Sequence, residues 1–260
     1  MSQRGELIFL GSGTSQGVPV IGCDCEVCMS KDVRDNRTRS SVHIKFAGLS
    51  LQIDTGPDFR TQMLREGLTH VDAVLFTHEH QDHVAGLDDV RPIIFRVRKE
   101  MALYGQQRVL DRIKKAFDYA FNAQPYPGAP SFTTTSIEAE LAFTINGVEV
   151  LPLGINHGNL PILGYRIGDT AYLTDVNDIP DEAMEQLSGL NYLILDALHR
   201  KEHYSHFNLT QAIEWATKIG ARHTYFIHMS HYMGKHEDVE KELPEGMQLS
   251  FDGLRIPVTI

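Results

Sequence analysis

Seven residues, Thr77-His78-Glu79-His80-Gln81-Asp82-His83, constrain this chain more than any other feature. They follow an uninterrupted apolar run, Ala73-Val74-Leu75-Phe76, which reads as a buried strand. On a tight turn leaving such a strand, residues two apart can project to one side, so His78 and His80 can share an ion. Asp82 and His83 open the next helical segment and can reach a second ion. Imidazole nitrogen with carboxylate oxygen suits zinc, manganese or iron. A polar surface loop would not call for three histidines and an aspartate at this spacing.

Four residues cannot complete two coordination shells, so further ligands are required at other strand ends. His157 follows the apolar stretch 148–153, Asp175 follows 171–173, and His228 follows 224–227. Each is a metal-competent residue placed where a strand stops.

The three cysteines, Cys23, Cys25 and Cys28, lie within six residues. An odd, clustered count does not build a disulfide framework. Three thiolates fill three corners of a zinc tetrahedron, and His231 is the candidate for the fourth.

Composition narrows the class. The chain has 260 residues, 42% of them hydrophobic, and a formal net charge of -10. That size supports a substantial core, and that charge argues against a phosphate-tracking nucleic-acid surface while leaving small anionic substrates open. No secretory segment or membrane span is read, so a cytoplasmic protein is expected.

Strands are predicted over 6–10, 41–46, 49–53, 73–76, 141–145, 148–153, 163–167, 171–173, 192–195 and 224–227. Ala47-Gly48 suits a hairpin turn. Helices are predicted over 57–66, 106–121, 180–187 and 209–218, and the Pro/Gly-rich segment 122–131 is either a lid or a plain connection. Two sheets face to face with helices outside, in one domain over 1–260, satisfy this order.

The ordered motifs, Asp54 in QIDTG, the THEHQDH run, His157, Asp175 and His228, resemble the metallo-β-lactamase superfamily. The resemblance implies an α+β fold, the αββα metallo-β-lactamase sandwich of two mixed sheets, and two divalent catalytic ions, Mn2+ or Zn2+. It assigns His78, His80, His157 and Asp175 to one ion and Asp82, His83, His228 and the bridging Asp175 to the other. Asp54 would orient ligands from behind. A bridging carboxylate is the pattern of the superfamily's phosphodiesterases, ribonucleases, glyoxalases and lactonases, which discounts β-lactam hydrolysis. The CxCxxC cluster behind the Gly-rich GSGTSQG turn resembles the PhnP-type phosphoribosyl 1,2-cyclic phosphate phosphodiesterases, which implies one structural Zn2+ on Cys23, Cys25, Cys28 and His231. A similar cluster occurs in the protein associated with pyrroloquinoline quinone biosynthesis.

A phosphodiesterase also needs a proton for its departing alkoxide. Of His199, His203 and His206, the last directly precedes a helix opened by Asn208, a placement that resembles the donor histidine of the PhnP-type enzymes and the transfer-RNA 3′-processing nucleases. His199 and His203 read as surface or substrate-rim groups. The expected reaction is attack of a metal-bridged hydroxide on a small or cyclic phosphodiester, with His206 as acid and Asp82 counted as both ligand and catalytic group. The alternatives are a transfer-RNA 3′-processing ribonuclease, a glyoxalase or lactonase, and a non-catalytic protein of cofactor biosynthesis. Arg60, Arg96, Arg98 and Arg166 are candidates for holding a second phosphate. No membrane partner is expected, and the oligomeric state, a homodimer included, is left open.

Overall fold

Alternation within buried strands decides the layering of this chain. The computed structural model describes residues 4–46, 48–122, 124 and 126–259. In β1 (Arg4–Gly11), Leu7 and Phe9 enter one apolar cluster and Ile8 and Leu10 enter another. Both faces of the strand are therefore covered, as expected of a sheet sandwiched between two layers.

The first sheet continues in chain order through β2 (Ser41–Phe46), β3 (Leu49–Ile53), β4 (Ala73–Leu75), β5 (Met101–Gly105) and β6 (Phe132–Ser136). The second runs through β7 (Phe143–Ile145), β8 (Val148–His157), β9 (Leu160–Ile167), β10 (Thr170–Leu173), β11 (Tyr192–Asp196), β12 (His223–Ile227) and β13 (Met247–Leu249). The last strand, β14 (Arg255–Thr259), returns to pair antiparallel with β1. Between the sheets, Phe9, Ile44, Leu51 and Leu75 meet Tyr165, Tyr172, Ile194 and Ile227.

Helices cover the outer faces. Phe59 and Met63 of α1 (Phe59–Arg65), Val84 of α2 (Gln81–Val84), Ile94 of α3 (Arg91–Val97) and Val109 and Ile113 of α4 (Gln107–Ala116) pack on the first sheet. Ala183 of α5 (Asp181–Glu185), Ala212 and Ala216 of α6 (Leu209–Ile219) and Val239 of α7 (His236–Glu240) pack on the second. This is the αββα metallo-β-lactamase sandwich, with both sheets mixed.

Strand direction places the site. β3 and β4 are parallel, as are β10, β11 and β12. β8 and β10 both run antiparallel to β9 and so point the same way. The C-terminal ends within each sheet thus share an edge, the usual position of ligands in such sheets.

Several sequence expectations need correction. Strands β5, β6, β13 and β14 and helices α3 and α7 were not predicted, because their runs are short and interrupted by polar residues, Gly or Pro. The expected helix 106–121 stops at Ala116: Phe117 leaves helical geometry (φ −118°, ψ 40°), and a 3-10 turn, Asp118–Ala120, follows. His157 is the last residue of β8 rather than a loop residue after it. The strand extends past Leu153 through Gly154 and Asn156 because β9 pairs with it to the tip, His157 opposite Leu160. Gly158, at φ +60°, makes that two-residue turn. Ala47 of the expected hairpin turn lies outside the described residues, as do Ala123 and Pro125 of the 122–131 segment. Ala129 and Ser131 from the same segment border a groove beside Ile94, Phe95 and Arg98, and none of its described residues lines the cleft bordered by His80, His157 and His206.

Candidate metal centre

The loop after β4 is locked before any ligand is considered. The Thr55 N–H donates to His83 O (2.7 Å) and the Gly86 N–H to Thr55 O (2.8 Å). Gly56 is demanded here, since a Cβ at that position would stand 2.1 Å from the Asp82 carbonyl oxygen. The second sheet grips the same loop, with Leu163 N–H on Thr77 O (3.1 Å) and the Tyr165 hydroxyl on Phe76 O (2.6 Å).

Two clusters of donor atoms form on this frame. His78, His80 and His157 bring nitrogens within 4.8 Å of one another, and Asp82, His83, Asp175 and His228 do the same with nitrogen and oxygen. Asp175 joins them. Its Oδ1 lies 3.1 Å from His228 Nε2 and its Oδ2 3.2 Å from His83 Nε2, while it also groups with His157 and His206. All seven residues singled out from sequence are thus brought together at one edge.

Groups behind these donors fix their direction. Asp54 accepts from Thr77 N–H (2.9 Å) and the Thr77 hydroxyl (2.8 Å), and its Oδ2 lies 2.7 Å from His83 Nδ1. His157 Nδ1 donates to Ser205 O (2.8 Å). In each case the Nδ1 partner leaves Nε2 for the cleft, the arrangement that orients metal-bound histidines. Asp54, Asp175 and His228 all sit just past a strand end in the left-handed region, with φ of 60°, 56° and 63°. Non-glycine residues held there cost on the order of 1 to 3 kcal/mol each and concentrate at functional sites.

The chemistry of the donors fits divalent cations. His78 Nε2 and His80 Nδ1 stand 2.9 Å apart, as two ligands converging on one ion do. The buried Nε2 of His228 makes no hydrogen bond among the described residues. Asp54, Asp82, Asp175 and Asp196 gather around these histidines, and no lysine or arginine lines the cleft among the described residues. Burying such carboxylates without a cation is costly, and bound divalent cations would supply the missing charge. The internal electrostatics follow from the same crowding. Burial opposes ionisation of Asp175, yet the His228 and His83 imidazoles outweigh it and hold that carboxyl well below its usual range. Burial likewise opposes charging of His83, but Asp82, Asp175 and Asp54 together hold it well above an ordinary histidine. Burial, helped by His83, pushes His78 well down.

His206 lines the cleft beside this centre, where sequence placed it, just ahead of α6. Asn208 caps that helix in a reciprocal box with Gln211. The residue that sequence reasoning missed is Asp196. It ends β11, fully buried, with Oδ2 3.0 Å from His206 Nδ1 and Oδ1 3.5 Å from His228 Nδ1. The signal that marked Asp175, an acidic residue ending an apolar run, was equally present in LILD.

The cysteine cluster is separate. Sγ of Cys23, Cys25 and Cys28 lie 3.2, 3.4 and 3.5 Å from His231 Nδ1. Sulfur and nitrogen ligands of a tetrahedral zinc stand roughly 3.6 Å apart, so the four donors fit that ion. The Cys28 N–H bond, with help from His231, pulls the Cys25 thiol down to about 6, while burial pushes Cys28 up to about 11.

The four arginines considered for a second phosphate lie elsewhere. Arg60 and Arg96 line a groove between α1 and α3, Arg98 ends α3, and Arg166 bonds the Gly168 and Gln186 carbonyls. His199 and His203 do line the cleft, as rim groups.

Residues 51–229 match the family described as the Beta-lactamase superfamily domain. A Porphyromonas gingivalis protein named octanoyltransferase is 45% identical over 249 residues, 95% of this chain and 50% of that protein, so the chain spans about half the length of this relative. Among solved structures, a diphosphatase from the PhnP family superposes with a TM-score of 0.94 at 42% identity, covering 100% of this chain and 99% of that one. Zn(2+)-bound PqqB from Methylobacterium extorquens superposes with a TM-score of 0.80 at 19% identity, over 96% of this chain and 99% of that one, a likeness of fold.

Proposed function

We propose that this chain, which belongs to the beta-lactamase superfamily, is a metal-dependent hydrolase that uses a dinuclear centre to hydrolyse a small or cyclic phosphodiester. The observation that carries this reading is the Asp175 carboxylate standing between two donor clusters, with His206 beside it at 4.0 Å. His78, His80, His157 and Asp175 would hold one ion, and Asp82, His83, His228 and the same Asp175 the other. Two such ions, when bound, supply an activated water at neutral pH and a positive clamp for the phosphoryl oxygens.

The remaining work falls to side chains. Asp196 holds His206 through Nδ1 and directs Nε2 into the cleft, where the imidazolium gives its proton to the departing oxygen. Asp54 and the Ser205 carbonyl keep His83 and His157 aimed. The 42% identity to a PhnP-family diphosphatase across the whole chain supports phosphoryl chemistry over the lactone and thioester chemistry of other superfamily members. The Cys23-Cys25-Cys28-His231 set would hold a structural zinc.

A second reading concerns context. Nearly all of this chain has a counterpart in half of a protein named octanoyltransferase, which favours work alongside octanoyl transfer, with an octanoyl thioester as substrate. One panel decides between them. Protein stripped of metal and reconstituted with Mn2+ or Zn2+ is assayed on bis(p-nitrophenyl) phosphate, an octanoyl thioester and a lactone. Preferential phosphodiester hydrolysis supports the first reading. Thioester hydrolysis without phosphodiester turnover replaces it with the second.

A further inference from the structure

Glu79 is the one acidic residue of the THEHQDH run that joins neither donor cluster. It stands between two candidate ligands on a stretch with little else to hold it. The backbone on either side is pinned, with Phe76 N–H on Tyr104 O (2.8 Å), Thr77 N–H on Asp54 Oδ1 (2.9 Å) and His83 N–H on His80 O (3.0 Å). Between those points, no backbone N–H of His78, Glu79 or His80 finds an acceptor among the described residues. His80 is also exposed, so neither the ladder nor packing fixes its ring.

Arg108 supplies the anchor. It lies in the first turn of α4, whose Val109, Leu110 and Ile113 are buried against the first sheet and fix the helix in place. Its Nη1 donates to both carboxylate oxygens of Glu79, and its Nη2 donates to Gln106 Oε1 (2.9 Å) and to the Pro161 carbonyl oxygen. The Arg108 and Glu79 side chains are 33% and 24% exposed, so this charge-assisted pair is partly withdrawn from water and keeps more strength than an open surface pair. Pro161 stands opposite Asn156 in the β8–β9 ladder, one step from His157. A single guanidinium thus joins the turn bearing His78 and His80 to the hairpin bearing His157. These are the three imidazoles of one donor cluster. The other cluster has different supports, with Asp54 behind His83 and Asp196 facing His228.

We propose that Arg108 is a positioning residue for the three-histidine cluster. By clasping Glu79 and the Pro161 carbonyl together it sets His80 against His157, whose rings lie 5.3 Å apart, and so governs the affinity of one ion while leaving the other alone. Lysine is no substitute, because a single ammonium cannot serve a carboxylate, an amide and a carbonyl placed around a planar fork. The inference rests on the dinuclear reading above.

Zn2+ binding beyond the cysteine-bound zinc is followed by competition with a chromogenic chelator, and NMR of the histidine ring nitrogens identifies the imidazoles each ion reaches. In Arg108→Ala and Arg108→Lys, one of the two equivalents should bind roughly 10- to 100-fold more weakly and the other as in the wild type. His78, His80 and His157 should lose their metal-bound signals first, while His83 and His228 keep theirs. Glu79→Gln should act in the same direction, and adding it to Arg108→Ala should weaken binding no further, a coupling that general destabilisation does not produce. If Arg108→Ala fails to fold, Arg108→Lys and Glu79→Gln carry the same test with the side-chain bulk retained. Two equivalents at wild-type affinity in Arg108→Lys, or both weakened alike, would overturn the proposal. A wild-type protein that takes up fewer than two equivalents would instead remove the dinuclear reading, and the proposal with it.

Discussion

Asp196 Oδ2 holds His206 Nδ1 at 3.0 Å while its other oxygen lies 3.5 Å from Nδ1 of His228, so one buried carboxylate faces both the proposed proton donor and a candidate ligand. A change at Asp196 should therefore disturb both the acid step and the metal centre, whereas a change at His206 should disturb the acid step alone.

His206→Ala should lower kcat by about 10²- to 10⁴-fold on an ester with an alkoxide leaving group and far less on a p-nitrophenolate ester, whose leaving group needs no proton. Steady-state rates across a series of leaving groups, with metal content measured in parallel, check this. An equal loss across the series would remove His206 from the acid role.

Asp54→Asn should weaken metal binding by roughly 10- to 100-fold, because His83 Nδ1 loses the carboxylate that directs its other nitrogen. Competition against a chromogenic chelator measures it. Unchanged affinity would make Asp54 a structural residue only.

Cys25→Ser should cost one equivalent of zinc and lower Tm by roughly 5 °C or more, since the thiolates tie residues 23–28 to His231 and to the strand end at His228. Elemental analysis and calorimetry report on it. Full zinc with unchanged melting would dismiss the structural site.

His43 supplies a pH dependence remote from the metals. It is fully buried in β2 with Nδ1 on Gln52 Oε1 at 3.0 Å, and burial pushes its pKa down to about 4. A base with a depressed folded pKa binds fewer protons folded than unfolded, so it contributes no penalty above pH 6.5. Stability then falls as pH drops from about 6.5 to 4, by about 3 kcal/mol in total. Denaturant unfolding of wild type and His43→Gln across that range should show the loss in the wild type and a smaller one in the variant. Parallel curves would reject the assignment.

The layered fold was legible because its central strands are runs such as Ala73-Val74-Leu75 with both faces buried. The edge strands β6 and β13 were not, because half-exposed strands carry too few apolar residues for the pattern to register. Every donor in the two clusters could be found from the THEHQDH run and from later strand ends bearing His or Asp. Asp196 met the same criterion and was passed over because its partners are set by tertiary structure rather than local sequence, His228 by the parallel register of β11 and β12 and His206 by the loop ahead of α6.

Metal titration of the stripped protein tests the dinuclear centre most directly. Phosphodiesterase activity is followed against equivalents of Mn2+ added beyond the zinc held by the cysteines. Turnover should saturate at two equivalents per chain, and Asp175→Asn should not recover it at any ratio. Full turnover at one equivalent, or undiminished activity in Asp175→Asn, would contradict a centre bridged by Asp175.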